Sequence, residues 1–264
     1  MLKQIKFAIK YAYAFFAAAY LFLLGFLFAR NRDLITSIAV HFGYARKRRK
    51  SIQPLLPEVV YSELITSVQP LRILEPIHQR GNVSLFEMWI IDHLVKQVDA
   101  RQIFEFGTFD GRTTLNMAAN SCESAKVYTI DLPREQMNAT QLALDSDEKI
   151  LIDKESSGER FHGYPEEKKI VQLYGDTATF DFKPYFDSSD FIFIDASHSY
   201  EYVLNDTLIA LKLLKSGKGI ILWHDYDSAF DGVTKALNEL LAGNELLKDV
   251  KHILDTSLAI LLRK

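Results

Sequence analysis

The chain predicts an α/β fold built on a parallel sheet covered by helices on both faces, and three observations carry that expectation. Short, continuously apolar runs recur along residues 102–262, helical patterns fall between most of them, and a glycine turn follows the first run. The expected strands are Gln102 to Phe106, Lys126 to Ile130, Ile170 to Tyr174, Phe191 to Ile194, Gly219 to Trp223, His252 to Leu254 and Ala259 to Leu262. Only Asp255, Thr256, Ser257 and Leu258 separate the last two. That is too few for a parallel crossover, so an antiparallel hairpin is expected. Ser84 and Glu87 have the spacing of a capping box, and the apolar positions after them predict a helix ahead of the first strand.

Composition bounds the rest. The chain has 264 residues, 48% of them hydrophobic, enough for one sizeable α/β domain with an appendage. One cysteine, Cys122, rules out an internal disulfide and fits a reducing compartment. The net charge of −3 is unevenly spread. Residues 1–50 hold ten Lys or Arg against the single acid Asp33, leaving 21 basic and 33 acidic residues in the remainder. An acidic body excludes a broad nucleic-acid surface, which needs clustered cations.

From Tyr11 to Ala29 no residue is charged, and Lys3, Lys6 and Lys10 precede the stretch while Arg30, Arg32 and the run Arg46 to Lys50 follow it. About twenty apolar residues just span a hydrocarbon core of about 30 Å. Residues 1–50 are therefore expected to attach the chain to a membrane through a hydrophobic helix that either spans it or lies on its surface, and the excess of cations after the stretch puts the main domain on the cytoplasmic side. Residues 51–81, marked by Pro54, Pro57, Pro70 and Pro76, are expected to be a linker with short structured pieces, and residues 82–264 the domain. The polar segment 133–169 breaks the alternation of strands and helices and is expected to be an insertion beside the site, either a lid over ligand or, equally, a disordered surface loop.

The segment Glu105-Phe106-Gly107-Thr108-Phe109-Asp110-Gly111-Arg112-Thr113 reads as a strand ending in an acid, followed by a turn that opens a helix. Such a turn lets a ligand approach the backbone, and the acid suits a ligand with hydroxyl or ammonium donors. Asp131 ends the second strand about twenty residues later, where a carboxylate can accept both hydroxyls of a ribose. Asp195 and Asp225 follow two further strands whose carboxyl ends meet at one edge, a pairing that suits a hard divalent cation.

These segments resemble those of the class I S-adenosylmethionine-dependent methyltransferases, which use an E-x-G-x-x-x-G form of the turn, over about residues 82–264. The resemblance implies a Rossmann-like, doubly wound seven-stranded sheet whose last strand is antiparallel. It implies that Glu105, Gly107, Thr108, Gly111, Thr113 and Asp131 hold S-adenosylmethionine, with Asp176 approaching the adenine or, equally, capping the next helix. Asp195-Ala196-Ser197-His198-Ser199-Tyr200-Glu201 with the later His224-Asp225-Tyr226 is similar to the metal-dependent O-methyltransferases of sugars and macrolides. There the aspartates are metal ligands, here Asp195 and Asp225, and the histidine, here His198, is the general base. His224 stands where an acid is common, so either the metal is one such as Mn²⁺ rather than Mg²⁺ or His224 serves the substrate instead. The expected activity is methyl transfer to a hydroxyl of a sugar, glycan or small metabolite. A metal-dependent hydroxylase on the same fold, similar to the cephalosporin hydroxylases, and a non-catalytic membrane-tethered scaffold are the alternatives.

Overall fold

The computed structural model describes residues 2–28, 31, 32, 35, 52–77, 79, 81–144, 154, 156–228 and 230–263. The chain divides into two units, 1–49 and 50–264.

In the first unit α1 (Leu2–Leu23) runs into a tighter 3₁₀ turn at Gly25–Leu27, after which Phe28 is extended. This corrects the transmembrane expectation. The uncharged stretch is split, and its α-helical part, Tyr11 to Leu23, rises only about 20 Å at about 1.5 Å per residue. Among the described residues no helix is long and apolar enough to cross a membrane. Tyr11, Tyr13, Phe15, Phe16 and Leu23 are exposed. The basic run Arg46 to Lys50 lies outside the described residues.

The second unit holds one sheet: β1 (Glu58–Val59), β2 (Gln102–Phe106), β3 (Lys126–Asp131), β4 (Ile170–Tyr174), β5 (Phe191–Ile194), β6 (Gly219–Trp223), β7 (Lys251–Ile253) and β8 (Ala259–Arg263), in the order β1-β7-β8-β6-β5-β2-β3-β4. The strands from β4 across to β6 are parallel, while β8 lies antiparallel to both β6 and β7. Eight strands stand where seven were expected. The extra one, β1, pairs Glu58 with His252 and Val59 with Ile253 along the edge of β7. Two residues carry no periodicity that could announce a strand; the open edge of β7 organises them.

Alternate residues of each strand face opposite layers, which is why the runs are mostly apolar. Phe104, Phe106, Ile192, Ile194, Ile221 and Trp223 pack with α5 (Tyr200–Leu213) and α6 (Asp231–Gly243). Ile103, Val127, Phe191, Phe193 and Leu222 pack with α3 (Leu85–Gln97) and α4 (Arg112–Asn120). The capping box at the start of α3 is formed: Ser84 Oγ accepts from Glu87 N–H, and Glu87 Oε2 accepts from Ser84 N–H.

The proline-marked stretch ahead of α3 contributes β1 and a one-turn helix α2 (Tyr61–Leu64), and two devices tie it down. Tyr226 Oη accepts from Leu55 N–H and Leu56 N–H at 2.8 and 2.9 Å. On α4, the amides of Asn116 and Asn120 exchange paired bonds with the backbone of Leu74 and Arg72, as a neighbouring strand would.

One glycine sets the edge on which the site lies. Gly107 has φ +90°, and a Cβ there would sit 2.0 Å from Asp195 O and 2.8 Å from Ala196 Cα. Gly107→Ala is expected to destabilise the domain by more than about 3 kcal/mol, since both backbone strain and a backbone clash oppose it. Urea unfolding checks this; a loss below about 1 kcal/mol would mean the two strand ends separate freely.

Candidate active site

The carboxyl ends of β4, β3, β2, β5 and β6 lie side by side, and the polar residues singled out from sequence sit at or beyond them. Two groups form along this edge.

Beyond β5 and β6, Asp195, His198, His224 and Asp225 meet. His224 Nδ1 lies 3.1 Å from Asp195 Oδ1 and 3.2 Å from Asp225 Oδ2, and His198 Nε2 lies 3.0 Å from Asp225 Oδ2. The His198 ring stacks on Phe230 at 3.8 Å between centroids, which fixes its plane. A small cavity of about 10 Å³, roughly the room of one water or ion, is lined by Asp195, His198 and His224. Among the described residues, one donor atom each from Asp195, His224 and Asp225 lies within 4.8 Å of the others. The set suits a divalent ion: bonds of about 2.1 Å at right angles put neighbouring donors about 3.0 Å apart. One imidazole with two carboxylates favours Mn²⁺ or a similar borderline ion over Mg²⁺.

Charge compensation holds this group. Burial alone would discharge the His224 ring, but Asp195 and Asp225 outweigh it and raise its pKa well above the ordinary histidine value. Burial likewise opposes ionisation of Asp225, and the two histidines overcome it, holding the carboxyl far below the usual range. Glu87 behaves the same way. It is buried, yet His224 and the backbone N–H groups of Ser257 and Ser84 keep its pKa well below normal. Sequence reading assigned Glu87 to the capping box alone; nothing in the spacing of Glu87 and His224 could have announced that their side chains meet, 3.6 Å apart.

The second group lies around the glycine turn. Glu105 is buried, and its Oε2 accepts from the hydroxyls of Thr114 and, at 2.6 Å, Thr129. Its Oε1 is buried with no hydrogen-bond partner among the described residues. Burial, reinforced by the charges of Asp195 and Asp131 and only partly offset by the two threonines, pushes its pKa up to about 8. Thr108 Oγ1 lies 2.7 Å from Thr129 Oγ1 and accepts from Gln172, so it faces the interior, and Thr113 is buried at the start of α4. Gly111 caps α4 with φ +83°, but what lies against it is the chain itself. A Cβ there would meet Phe161 at 2.7 Å and Gly158 at 2.8 Å.

The described part of the insertion thus seats on the turn: Gly158 N–H donates to Phe109 O, Arg160 N–H donates to Asp110 O, and the Arg160 guanidinium pairs with Asp110 at 2.9 Å. Lys154 reaches Asp131, with Nζ 2.9 Å from Oδ2, an oxygen that also accepts from Phe109 N–H. Beside this pair opens a cavity of about 290 Å³, lined by Leu132, Pro133, Arg134, Glu135, Lys154, Ser156, Ser157 and Tyr174. Asp176 accepts from Ala178 N–H, Tyr202 Oη and Gln141 N–H, the last from the insertion. It therefore caps its own turn and pins the neighbouring segment.

Residues 104–226 match a family described as a methyltransferase domain. Over this stretch the chain is similar to that family. Its sheet, with antiparallel β8 lying between β6 and β7, is similar to that of a methyltransferase of Podospora anserina, PaMTH1, solved with SAH. That match has a TM-score of 0.51 at 18% identity, covering 70% of this chain and 80% of the other, and shows the fold alone. The O-methyltransferase TomG of Streptomyces achromogenes, solved with SAM, gives a TM-score of 0.46 at 17% identity over 72% and 93% of the two chains. An O-methyltransferase of Bacillus cereus, solved with SAH, gives 0.45 at 17% over 70% and 84%. No curated protein matches the chain by sequence.

Glu105 makes the stability of the second unit depend on pH. Its folded pKa of about 8 stands above the unfolded 4.5, so its contribution is complete below about pH 4.5 and is lost as pH rises through 8. Glu105→Gln should therefore gain on the wild type by a few kcal/mol between about pH 5 and pH 9, read from urea unfolding. A difference that stays flat over that interval would mean the carboxyl is already ionised at pH 5.

Proposed function

We propose that the chain is an S-adenosylmethionine-dependent O-methyltransferase acting with a divalent metal on a hydroxyl of a sugar, glycan or other small metabolite. The observation that carries this reading is the convergence of two unlike groups on one sheet edge: acids suited to an ammonium and a ribose at β2 and β3, and a metal-capable base cluster at β5 and β6.

On this reading the orphaned Glu105 Oε1 takes the cofactor's ammonium, since a buried acceptor without a donor is costly until one arrives. The backbone of Gly107, Thr108 and Gly111 and the start of α4 at Thr113 shape the turn around it. Asp131 accepts the ribose hydroxyls after giving up Lys154, and Asp176, by pinning Gln141, borders the adenine. The cofactor supplies a methyl made electrophilic by its sulfonium. Asp195, His224 and Asp225 would hold the metal, which when bound lowers the pKa of the acceptor hydroxyl. His198 takes that hydroxyl's proton, Asp225 beside its Nε2 stabilises the resulting cation, and Phe230 holds the ring in plane.

The test is calorimetric titration of S-adenosylmethionine with and without Mn²⁺, paired with two variants. Wild-type binding should be lost or weakened at least about tenfold in Asp131→Ala, which removes a charge-assisted pair of hydrogen bonds. His198→Ala should keep that affinity while turnover falls about 10²- to 10⁴-fold. No binding by the wild type under any metal condition would overturn the cofactor reading; unchanged turnover in His198→Ala would move the base elsewhere.

We also propose that residues 11–28 attach the chain to a membrane surface, with the domain on the cytoplasmic side. The exposed aromatic residues of α1 beside Lys10 support this, since amphipathic rings and cations suit the headgroup region. The wild type should float with anionic vesicles, and a Phe15→Ser/Phe16→Ser variant should float less. A wild type left in solution would end this proposal.

A further inference from the structure

A histidine nitrogen binds a metal through its lone pair, so the other ring nitrogen must carry the proton, and that proton needs an acceptor behind the ring. At His224 the two sides are already distinct. Nδ1 faces Asp195 and Asp225, while Nε2 faces Glu87 Oε2 at 3.6 Å. That separation is long for a hydrogen bond but within reach of an ion pair, so the contact orients through charge.

Glu87 is itself rigidly held. Its Oε2 accepts from Ser84 N–H, and its Oε1 accepts from both Ser257 N–H and Ser257 Oγ–H, each at 2.8 Å. A helix cap needs only the first of these bonds. The two from Ser257, in the turn between β7 and β8, lock the carboxylate behind His224 and have no part in starting α3. Three distant parts of the chain thus converge: the start of α3, the β7–β8 turn and the end of β6.

We propose that Glu87 is a positioning residue that keeps the His224 Nε2 proton on the far side of the ring and so presents Nδ1, with Asp195 and Asp225, to one divalent cation. This rests on the metal reading above. It adds a residue outside the matched stretch 104–226, which the domain match therefore does not cover.

The experiment uses the full chain, with free Mn²⁺ counted by electron paramagnetic resonance and S-adenosylmethionine affinity measured in parallel. Glu87→Gln should weaken Mn²⁺ binding about 10- to 100-fold, because an amide cannot satisfy Ser84, Ser257 and His224 Nε2–H together, while cofactor affinity is kept. Ser84→Ala breaks the helix cap without touching the carboxylate; it should lower the urea midpoint and leave Mn²⁺ affinity at the wild-type value. Wild-type Mn²⁺ affinity in Glu87→Gln would reduce Glu87 to a cap, and an equal loss in Ser84→Ala would assign the effect to the helix start; either overturns the proposal alone. A wild type that takes no Mn²⁺ overturns the metal reading and this proposal together. Should Glu87→Gln fail to fold, Ser257→Ala replaces it, with a several-fold loss expected and wild-type affinity overturning the proposal.

Discussion

The close approach of two backbones at Gly107 is the constraint on which the site depends. The end of β2 and the peptide after β5 lie nearer than any side chain at that position would allow. Because they do, the glycine turn and the acid-histidine cluster become neighbours on one edge. Hydrogen bonds extend the alignment outward: Gly107 N–H to Ile130 O, Asp195 N–H to Phe106 O and His224 N–H to Ile194 O. The polar groups are thus positioned by the rigid centre of the sheet, with apolar layers behind them on both faces.

Placing charge on that edge has an electrostatic consequence. Three carboxylates, Glu87, Asp195 and Asp225, lie around two imidazoles, His198 and His224, in surroundings that desolvate them. Buried charges of one sign are tolerated only when opposite charge is close. The proton favoured on His224 meets that need in part, and a divalent cation would meet it more fully. Glu105 shows the other outcome. With two neutral hydroxyls and no cation beside it, its carboxyl is pushed toward the neutral form.

The insertion turns that edge inward. Phe161 and Gly158 fill the space beside Gly111, Arg160 pairs with Asp110, and Lys154 pairs with Asp131. On the proposed reading each contact satisfies a group that the cofactor would otherwise meet, so the same carboxylates and glycines serve the chain's own packing here. A polar segment seats here because the turn offers acceptors and acids at its surface, which the Gly158 N–H, Lys154 and Arg160 meet.

Much of this was legible in the residues themselves. All seven runs read as strands are strands, because a strand buried on both faces needs uninterrupted apolar residues, and the four residues after Leu254 forced the hairpin. Ser84 and Glu87 announced a helix start, since capping is local chemistry at fixed spacing. The acids and histidines after β5 and β6 were visible because parallel strands send their carboxyl ends to one edge. What the sequence could not carry was everything that depends on partners distant along the chain. β1 is two residues long and exists because β7 has an open edge. Glu87 meets His224, and Lys154 meets Asp131, only after the sheet has folded. Periodicity and spacing record the forces acting within a few residues, whereas pairing across the fold is decided by which surfaces the packed sheet brings together.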